Sequence, residues 1–384
     1  MPAYDAFLLL SFGGPEGPDD VLPFLANVTR GRGVPQERLA EVAEHYHAYG
    51  GVSPINAQNR ALLKSIGAAF AADGIDLPLY WGNRNWHPFL EDTVRQLKAD
   101  GARRVIAFVT SAYSSYSACR QYLDDIDRAV AAAGPGAPGQ HSAPRIDKLR
   151  PYFNHPGFVE PFAAAAEAAL AALPAAAQEN ARLVFTAHSV PVGMAAASGS
   201  VSTGTAVPGA VGGRYAAELG EAARLISERV RGASLPYDLV FQSRSGPPSV
   251  PWLEPDVNDH LAALAKGTLT SGAAVPVPSA VVVVPVGFVS DHMEVVHDLD
   301  VEAAQTAESL GLPFARAEAP GPTPRFATMV SELVAERISG AVFTSTGFTS
   351  TGPRALGSFG LGAFAGGADG CPADCCRYTP RRPA

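Results

Sequence analysis

The sequence predicts an α/β protein built from two similar halves, each a parallel sheet covered by helices on both faces. Short runs of continuous apolar residues alternate with longer amphipathic stretches along most of the chain. Continuous apolar runs are typical of strands buried on both faces, and their alternation with helices is typical of βαβ units. Three such units precede about residue 150 and three or four follow it, which predicts two doubly wound halves.

Seven apolar runs are the predicted strands: Ala6–Phe12, Leu77–Trp81, Arg104–Thr110, Arg182–Thr186, Asp238–Gln242, Ala280–Val286 and Pro313–Ala315. The stretches between and beyond them predict helices over Gln36–Ala48, Asn56–Ala72, Pro88–Asp100, Gln121–Ala133, Val159–Leu173, Tyr215–Val230, Met293–Leu310 and Pro324–Ile338. Ligands of open α/β sheets bind beyond the carboxyl ends of the strands. The residues that follow each strand are therefore the first candidates for a site.

Composition sets the broad class of the protein. The chain has 384 residues, of which 47% are hydrophobic and 17% charged, so it can bury a large core and disorder is not expected. Its 29 Lys and Arg stand against 37 Asp and Glu, a formal net charge of -8. A nucleic-acid binder would carry a basic footprint instead, so that class is excluded.

Neither terminus nor any apolar run predicts export or membrane insertion. The first residues carry no basic segment and the apolar stretch Ala6–Leu10 is short, which argues against a signal peptide. The longest apolar run, Ala280–Val289, falls well short of the ~20 residues that span a bilayer. We expect a cytoplasmic monomer with no stable membrane insertion. Four cysteines, three of them in the last 14 residues, do not form a secreted disulfide framework.

Polar residues follow two of the predicted strands. His188 comes after Arg182–Thr186, and Asp291 and Glu294 come after Ala280–Val286. One interpretation is structural, with His188 packed and Asp291 capping a helix whose first turn contains Glu294. The other is functional, with His188 and Glu294 facing each other across a cleft to bind a divalent metal or to move protons. Because no HExxH motif is present, a closed zinc site is disfavoured.

Two further segments suit a flat ligand with carboxylates. Ser53 and Pro54 fit the start of a helix, whose free N–H groups suit a carboxylate, and Tyr46 and Arg30 lie nearby in sequence. Ser111–Tyr122 contains three tyrosines and four serines, which suit an amphipathic ring. Both segments also have a plain structural interpretation, as a helix boundary and as packing against the next helix.

Several segments in a fixed order resemble the ferrochelatases. They are LLLSFGGP, TRGRG, HYHAYGGVSP, WGNRNWHPFLEDTV, TAHSVP, FQSRSGPPSVPWLEPDV and PVGFVSDHMEVVHDLD, within residues 6–338. The sequence looks most like the coproporphyrin ferrochelatases of actinobacteria. This resemblance implies two Rossmann-like, chelatase-type lobes around a porphyrin cleft, and insertion of Fe²⁺ into coproporphyrin III to give coprohaem III in haem biosynthesis. We expect an N-terminal lobe at 1–175, a C-terminal lobe at 176–338 and an extension at 339–384.

The same resemblance implies roles for single residues. His188 matches the family's metal-binding histidine, and Glu294 matches its metal-binding, proton-accepting carboxylate. Ser53 and Tyr122 match positions that contact the porphyrin, and Tyr46 is a further candidate for such a contact.

Two positions depart from the family pattern. Phe12 stands in the porphyrin site where other members have a tyrosine that can ligate iron, and a phenyl ring cannot do so. Thr29 replaces an arginine that some members place near a propionate, and Arg30 is the candidate substitute.

The cysteines predict a cofactor. Iron–sulfur clusters are held by thiolates, commonly four per [2Fe–2S] centre. Some ferrochelatases carry such a cluster, and the resemblance assigns Cys119, Cys371, Cys375 and Cys376 to it. Zinc also accepts four thiolates, so a zinc site or a tail without metal remains the alternative.

Two rival functions remain open at this point. A ferrochelatase could act on protoporphyrin IX and make protohaem directly. A two-lobed protein could also hold a metal or haem without catalysis, although such proteins are usually exported.

Overall fold

Two four-stranded parallel sheets form the framework of the computed structural model. The first contains β1 (Ala6–Ser11), β2 (Leu79–Asn83), β3 (Arg104–Val109) and β4 (Arg145–Lys148), and the second contains β5 (Ala181–His188), β6 (Tyr237–Gln242), β7 (Ala280–Val284) and β8 (Phe314–Arg316). Their orders are β2-β1-β3-β4 and β6-β5-β7-β8, with every pair parallel. The predicted fold of two similar α/β halves is therefore confirmed.

The structure describes residues 4–31, 33–136, 141–199, 213–246, 249–339, 343–344, 347–348, 356 and 375–379. Within them the helices are α1 (Val21–Val28), α2 (Gln36–His47), α3 (Ile55–Asp73), α4 (Leu90–Ala99), α5 (Gln121–Ala133), α6 (Pro156–Ala172), α7 (Ala175–Gln178), α8 (Val192–Ala196), α9 (Gly213–Ser227), α10 (Val257–Leu264), α11 (Met293–Val295), α12 (Ala304–Ser309) and α13 (Pro324–Ser339). A short antiparallel pair, β9 (Phe343–Thr344) and β10 (Gly347–Phe348), follows α13.

Alternate residues of the central strands pack on opposite faces of each sheet. In β1, Phe7 and Leu9 join one apolar cluster, whereas Leu8 and Leu10 join another. Val282 and Val284 of β7 likewise separate from their neighbours in the strand. Strands covered on both faces need apolar residues at every position, which explains the continuous runs in the sequence.

One apolar cluster joins the two halves. It contains Phe108 from the first sheet and Phe185 from the second, together with Phe158 of α6 and Phe326 of α13. The ring of Phe326 lies 6.0 Å from that of Phe108, so a helix that follows the second sheet packs against the first. The predicted lobe boundary at residues 175/176 falls within α7, and the three-part division stays a prediction.

Strand β4 and helices α1 and α10 are among the elements that the sequence does not predict. Strand β4 is polar and lies at the sheet edge, where its Asp147 accepts a 2.8 Å hydrogen bond from the Tyr4 hydroxyl. Helices α1 and α10 have eight residues each, which is too short for a helical period to stand out.

The predicted helix Met293–Leu310 is interrupted. After α11 the chain forms a π-helix over Val296–Ala303 before α12 begins. A second π-helical turn, Tyr116–Arg120, follows β3, which holds the same place in its sheet as β7. Such segments are rare and occur often at functional sites.

No helix among the described residues is long and apolar enough to cross a membrane.

Candidate active site

His188 is the last residue of β5, at the carboxyl edge of the second sheet. Its Nδ1 lies against the Ser189 carbonyl oxygen, which can only accept a hydrogen bond, so Nδ1 carries the proton in the neutral ring. The other nitrogen, Nε2, lies 3.6 Å from Glu294 Oε1, and the two side chains are 32% and 48% exposed. The structure thus brings the predicted histidine and carboxylate together where a ligand can reach both.

The main chain around His188 is held from three directions. The Tyr215 hydroxyl donates a 3.0 Å hydrogen bond to the His188 carbonyl. The Ser189 N–H donates to the Gln242 carbonyl of the neighbouring strand at 2.8 Å, and the Ser189 hydroxyl donates to the Leu253 carbonyl at 2.8 Å. These bonds fix the direction in which the imidazole leaves the strand.

Glu294 lies in the first turn of α11, but the predicted capping by Asp291 is wrong. The residue at the cap position is His292, whose Nδ1 accepts a 3.3 Å hydrogen bond from the Glu294 N–H. Asp291 is instead bound by Arg316, 3.1 Å away, because its side chain points toward β8. The cap places the Glu294 carboxylate between His188 and His292, whose Nδ1 is 3.8 Å from Oε2.

The pKa values of the two histidines beside Glu294 are shifted in opposite directions. Burial lowers the pKa of His188, but the charge and hydrogen bond of Glu294 raise it more, so its net pKa lies above the ordinary value. For His292, burial dominates and the pKa falls below the ordinary value. His188 is therefore the stronger base of the pair.

A second carboxyl group lies one turn beyond Glu294, in the π-helix. Burial raises the pKa of Asp298 to about 7, against the lowering effect of a hydrogen bond from the Ser243 hydroxyl. The Gln242 side chain donates both to Asp298 Oδ2, at 3.4 Å, and to the Glu294 carbonyl, at 3.0 Å. A group with this pKa can accept and release protons near neutral pH.

Aromatic side chains from the first half form a wall at the site. Phe12 directly follows β1 and is 36% exposed, and its ring meets that of Phe24 edge to face at 6.3 Å. Phe24 also contacts Tyr46 at 5.9 Å and Trp86 at 6.3 Å. The structure therefore brings Phe12 and Tyr46, both predicted porphyrin contacts, to one ring, Phe24, that the sequence does not single out.

Helix α2 brings this wall to the π-helix of the second half. His45 stacks on His297 with the ring centres 4.1 Å apart and an interplanar angle of 20°. Burial raises the pKa of Tyr46, and the nearby charges of Glu294 and Asp298 raise it further. Tyr46 thus stays protonated and lies on the side of the cleft that faces the acidic residues.

The other three predicted porphyrin contacts differ in exposure. Ser53 is 4% exposed, lies against Gly14 and donates its N–H to the Pro15 carbonyl at 2.9 Å; it does not cap α3, which begins at Ile55. Arg30 is exposed at the end of α1 and bonds to Asn27.

Tyr122, the third, is also 4% exposed. It lies under the guanidinium of Arg84, 4.5 Å from its ring centre, and Arg84 is paired in turn with Asp125. None of these positions is tested as a porphyrin contact, and all three stay predictions.

Three of the four cysteines lie among the described residues. Cys119 is buried in the π-helical turn Tyr116–Arg120, and the segment 375–379 packs nearby, with the Tyr378 ring 6.4 Å from that of Tyr116. The Cys376 thiol lies 3.9 Å from the Ser198 carbonyl. Cys371 lies outside the described residues. In the described part of the chain, no three His, Cys, Asp or Glu side chains are grouped so as to hold a metal ion.

Four residues of the site are not predicted from the sequence: Gln242, Tyr215, Asp298 and His297. For one of them a signal exists, because Glu294, Asp298 and Glu302 recur every four residues. The others depend on contacts between elements that are distant in sequence.

Comparison with known proteins identifies the family. The ferrochelatase family model matches residues 4–338. Coproporphyrin III ferrochelatase of Streptomyces coelicolor is 53% identical over 337 residues, 87% of this chain and 85% of the relative. The enzyme of the same name from Nocardia farcinica is 54% identical over 88% of this chain and 89% of its own. A ferrochelatase of Rhodopirellula baltica is 47% identical over 383 residues, 100% of this chain and 96% of the relative. The chain belongs to the ferrochelatase family.

Proposed function

We propose that this protein inserts Fe²⁺ into coproporphyrin III and so makes coprohaem III in haem biosynthesis. The observation that carries the proposal is the pair His188 and Glu294, 3.6 Å apart at the carboxyl edge of the second sheet. Across from it stand the aromatic rings of the first half, Phe12 and Tyr46 among them. A flat macrocycle held against these rings would present its centre to the pair.

His188 and Glu294 are proposed as the catalytic residues. Metallation replaces two pyrrole N–H protons by Fe²⁺, so two protons must leave the macrocycle for each iron that enters. The imidazole of His188, with its raised pKa, and the carboxylate of Glu294 are the acceptors nearest to each other in the site. Asp298, with a pKa of about 7, suits onward transfer of a proton toward solvent.

The same two side chains are proposed to hold the incoming metal. Imidazole and carboxylate both bind Fe²⁺, and His188 Nε2 lies 3.6 Å from Glu294 Oε1. Two protein ligands give a weaker site than the closed three- or four-ligand sites of resident metals. Weak binding suits a metal that is a substrate and must pass into the porphyrin.

The porphyrin contacts are proposed to be Phe12, Tyr46, Ser53, Tyr122 and Arg30. Phe12 and Tyr46 offer ring faces, and the exposed Arg30 at the end of α1 offers a positive charge to a substrate carboxylate. Ser53 and Tyr122 are each 4% exposed, and they are proposed to contact the porphyrin through the few atoms that remain accessible. Because Phe12 has no hydroxyl group, no axial oxygen ligand is expected from this position.

The choice of porphyrin rests on two arguments. Relatives from Streptomyces and Nocardia that cover most of this chain are named coproporphyrin III ferrochelatases. Coproporphyrin has four carboxylates and protoporphyrin has two, and the exposed Arg30 suits the ring with more carboxylates. The runner-up is protoporphyrin IX, since the Rhodopirellula relative, matched over the whole chain, is named simply a ferrochelatase.

A turnover assay with both porphyrins and Fe²⁺ under anaerobic conditions tests the proposal. We expect a higher kcat/KM with coproporphyrin III than with protoporphyrin IX. The opposite order would establish the runner-up. Tight porphyrin binding without conversion of either ring would instead favour a non-catalytic binding protein.

We further propose that the protein carries a [2Fe–2S] cluster held by Cys119, Cys371, Cys375 and Cys376. The described cysteines are not grouped as metal ligands, so the support is the resemblance together with the place of Cys119 next to the segment that contains Cys375 and Cys376. Cys119 is buried beside the segment 375–379. Burial lowers the pKa of the neighbouring Arg120, but Asp124 and Cys375 raise it more, which places Cys375 close to this turn. A bound cluster would supply one-electron redox chemistry and four thiolate bonds between the extension and the first half.

Metal and sulfide analysis of protein purified without air tests the cluster. Two irons and two sulfides per chain, with visible thiolate charge-transfer absorption, are expected. Cys119→Ala should abolish the absorption, and Ser117→Ala, two residues away, should retain it. A colourless protein, or one that binds zinc at these thiols, would contradict the proposal.

We place the protein in the cytoplasm as a monomer that binds coproporphyrin III and Fe²⁺ and does not bind nucleic acid. Size-exclusion chromatography with light scattering tests the oligomeric state, and a monomer should give a mass of 39.9 kDa.

A further inference from the structure

Gln242 contacts the main chain on both sides of the catalytic pair. It is the last residue of β6 and pairs in register with His188 of β5. Its carbonyl accepts the Ser189 N–H at 2.8 Å, next to His188. Its side-chain Nε2 donates to the Glu294 carbonyl at 3.0 Å. One buried residue, 1% exposed, therefore connects the backbone beneath the histidine to the backbone beneath the carboxylate.

The chemistry of the partners defines how the amide is oriented. The Glu294 carbonyl only accepts hydrogen bonds, and an ionised Asp298, whose Oδ2 is 3.4 Å from Nε2, likewise accepts. Only the NH₂ group of Gln242 can satisfy them, so the amide oxygen faces the other way. That oxygen is buried and has no hydrogen-bond partner among the described residues.

The bond is made where helical geometry changes. Glu294 lies in α11, and the π-helix begins two residues later at Val296. A change from α to π spacing disturbs the regular pairing of main-chain carbonyls. A side-chain donor that reaches the Glu294 carbonyl at this place supports the turn that carries the carboxylate.

We propose that Gln242 is a positioning residue that sets the separation of His188 and Glu294 and thereby their affinity for the metal. The main-chain carbonyl of Gln242 positions the strand end that carries His188, and its side-chain amide positions the turn that carries Glu294. Residues that orient metal ligands without touching the metal commonly change affinity by about 10- to 100-fold when they are replaced. This inference rests on the proposed function of His188 and Glu294.

The test compares Gln242→Met with Gln178→Met. Methionine keeps the length of glutamine but removes the donor. Gln178, the last residue of α7, is the matched control. Its side-chain amide also donates to a main-chain carbonyl, that of Leu173 at 2.7 Å, but this bond lies outside the candidate site. Four quantities are measured for each variant: the affinity for Co²⁺ alone by visible absorption, the Kd for coproporphyrin III by fluorescence, kcat with Fe²⁺, and Tm.

Gln242→Met is expected to weaken Co²⁺ binding and to lower kcat, each by about tenfold, which corresponds to about 1.4 kcal/mol of free energy. The Kd for coproporphyrin should change less than twofold, and the loss in Tm should match that of the control. A purely structural role would lower Tm but leave the metal affinity of the folded protein unchanged.

Metal affinity and kcat within twofold of wild type would overturn the inference, as would an equal loss in Gln178→Met. Should Gln242→Met not fold, Gln242→Asn, whose donor is one methylene too short, is measured with the same expectation. Failure of the proposed function can be told apart from failure of this inference. In the first case wild-type protein would not convert coproporphyrin, while the Co²⁺ affinity of the variants would still test the role of Gln242.

Discussion

The hydroxyl of Tyr215 donates a 3.0 Å hydrogen bond to the main-chain carbonyl of His188. Tyr215 belongs to the first turn of α9, and its own N–H donates to the Ser198 hydroxyl at 2.9 Å. The peptide that carries the proposed catalytic imidazole is thus tied to a helix that packs behind the sheet. This bond explains how a histidine at the end of a strand, where chains are often mobile, can keep a fixed direction.

Tyr215→Phe should lower kcat by roughly three- to tenfold, about 0.7–1.4 kcal/mol of activation free energy, with little change in KM for the porphyrin. The reason is that the His188 carbonyl loses its donor and the imidazole loses part of its constraint. Steady-state kinetics with Fe²⁺ checks this.

The matched control is Tyr152→Phe, because the Tyr152 hydroxyl donates a 2.9 Å bond to the Val109 carbonyl at the end of β3. Both variants should lose about 1 kcal/mol of unfolding free energy. Equal kcat values in the two variants would show that Tyr215 has no special role.

Gly14 lies where the first half forms its wall, and a side chain there should disturb porphyrin binding. A Cβ atom on Gly14 would come within 2.7 Å of the Ile55 side chain and 2.8 Å of Ser53. Gly14→Ala is therefore expected to cost about 1–3 kcal/mol of stability and to raise the Kd for coproporphyrin III severalfold.

Fluorescence titration and thermal unfolding measure both effects. Gly17→Ala serves as the control, since nothing lies within 4 Å of a Cβ at that position. If the two alanine variants bind porphyrin equally well, Ser53 and its surroundings do not shape the site.

Asp147 should contribute stability that disappears in acid. Burial raises its pKa, but hydrogen bonds from Arg104, Arg145 and Tyr4 lower it more, so the folded-state pKa lies below the ordinary value. A carboxyl group of this kind stabilises the fold above its unfolded-state pKa of about 3.9, and the effect is lost as the pH falls through the folded value. Asp147→Asn should therefore destabilise the protein at pH 7 by about 1.5–3 kcal/mol.

Urea unfolding at pH 7 and again below pH 4 checks the sign. The difference between wild type and Asp147→Asn should shrink in acid. Asp92 is exposed and pairs with Arg95 at the surface, where ion pairs contribute little. Asp92→Asn should therefore change the free energy of unfolding little at either pH. A difference for Asp147→Asn that grows in acid would contradict the assignment.

The sequence predicts the parts of the fold that depend on local pattern. The apolar runs of β1 and β7 must be continuous because both faces of each strand are covered, and this pattern is visible in one dimension. Strand β4 is not predicted, since an edge strand with charged residues such as Asp147 has no apolar run. The π-helix at Val296 is not predicted either, because its residues show no pattern that separates it from an α-helix.

The residues of the candidate site also divide into those that a local pattern predicts and those that it does not. His188 ends one strand and Glu294 follows another, so the rule that ligands bind at the carboxyl ends of parallel strands identifies both. Gln242 and Tyr215 act through hydrogen bonds to main-chain carbonyls of other elements, and nothing in their neighbouring sequence marks those partners. The approach of Tyr46 to Glu294 depends on how the two halves pack, which no local pattern records.

Porphyrin binding and metal insertion should come apart when they are measured separately in His188→Ala and Glu294→Gln. Fluorescence titration with coproporphyrin III gives the Kd, and anaerobic assays with Fe²⁺ give the rate of coprohaem formation. We predict a Kd close to that of wild type and no measurable insertion in either variant. Full turnover in either one would contradict the assignment of His188 and Glu294 as the pair that takes the protons and delivers the iron.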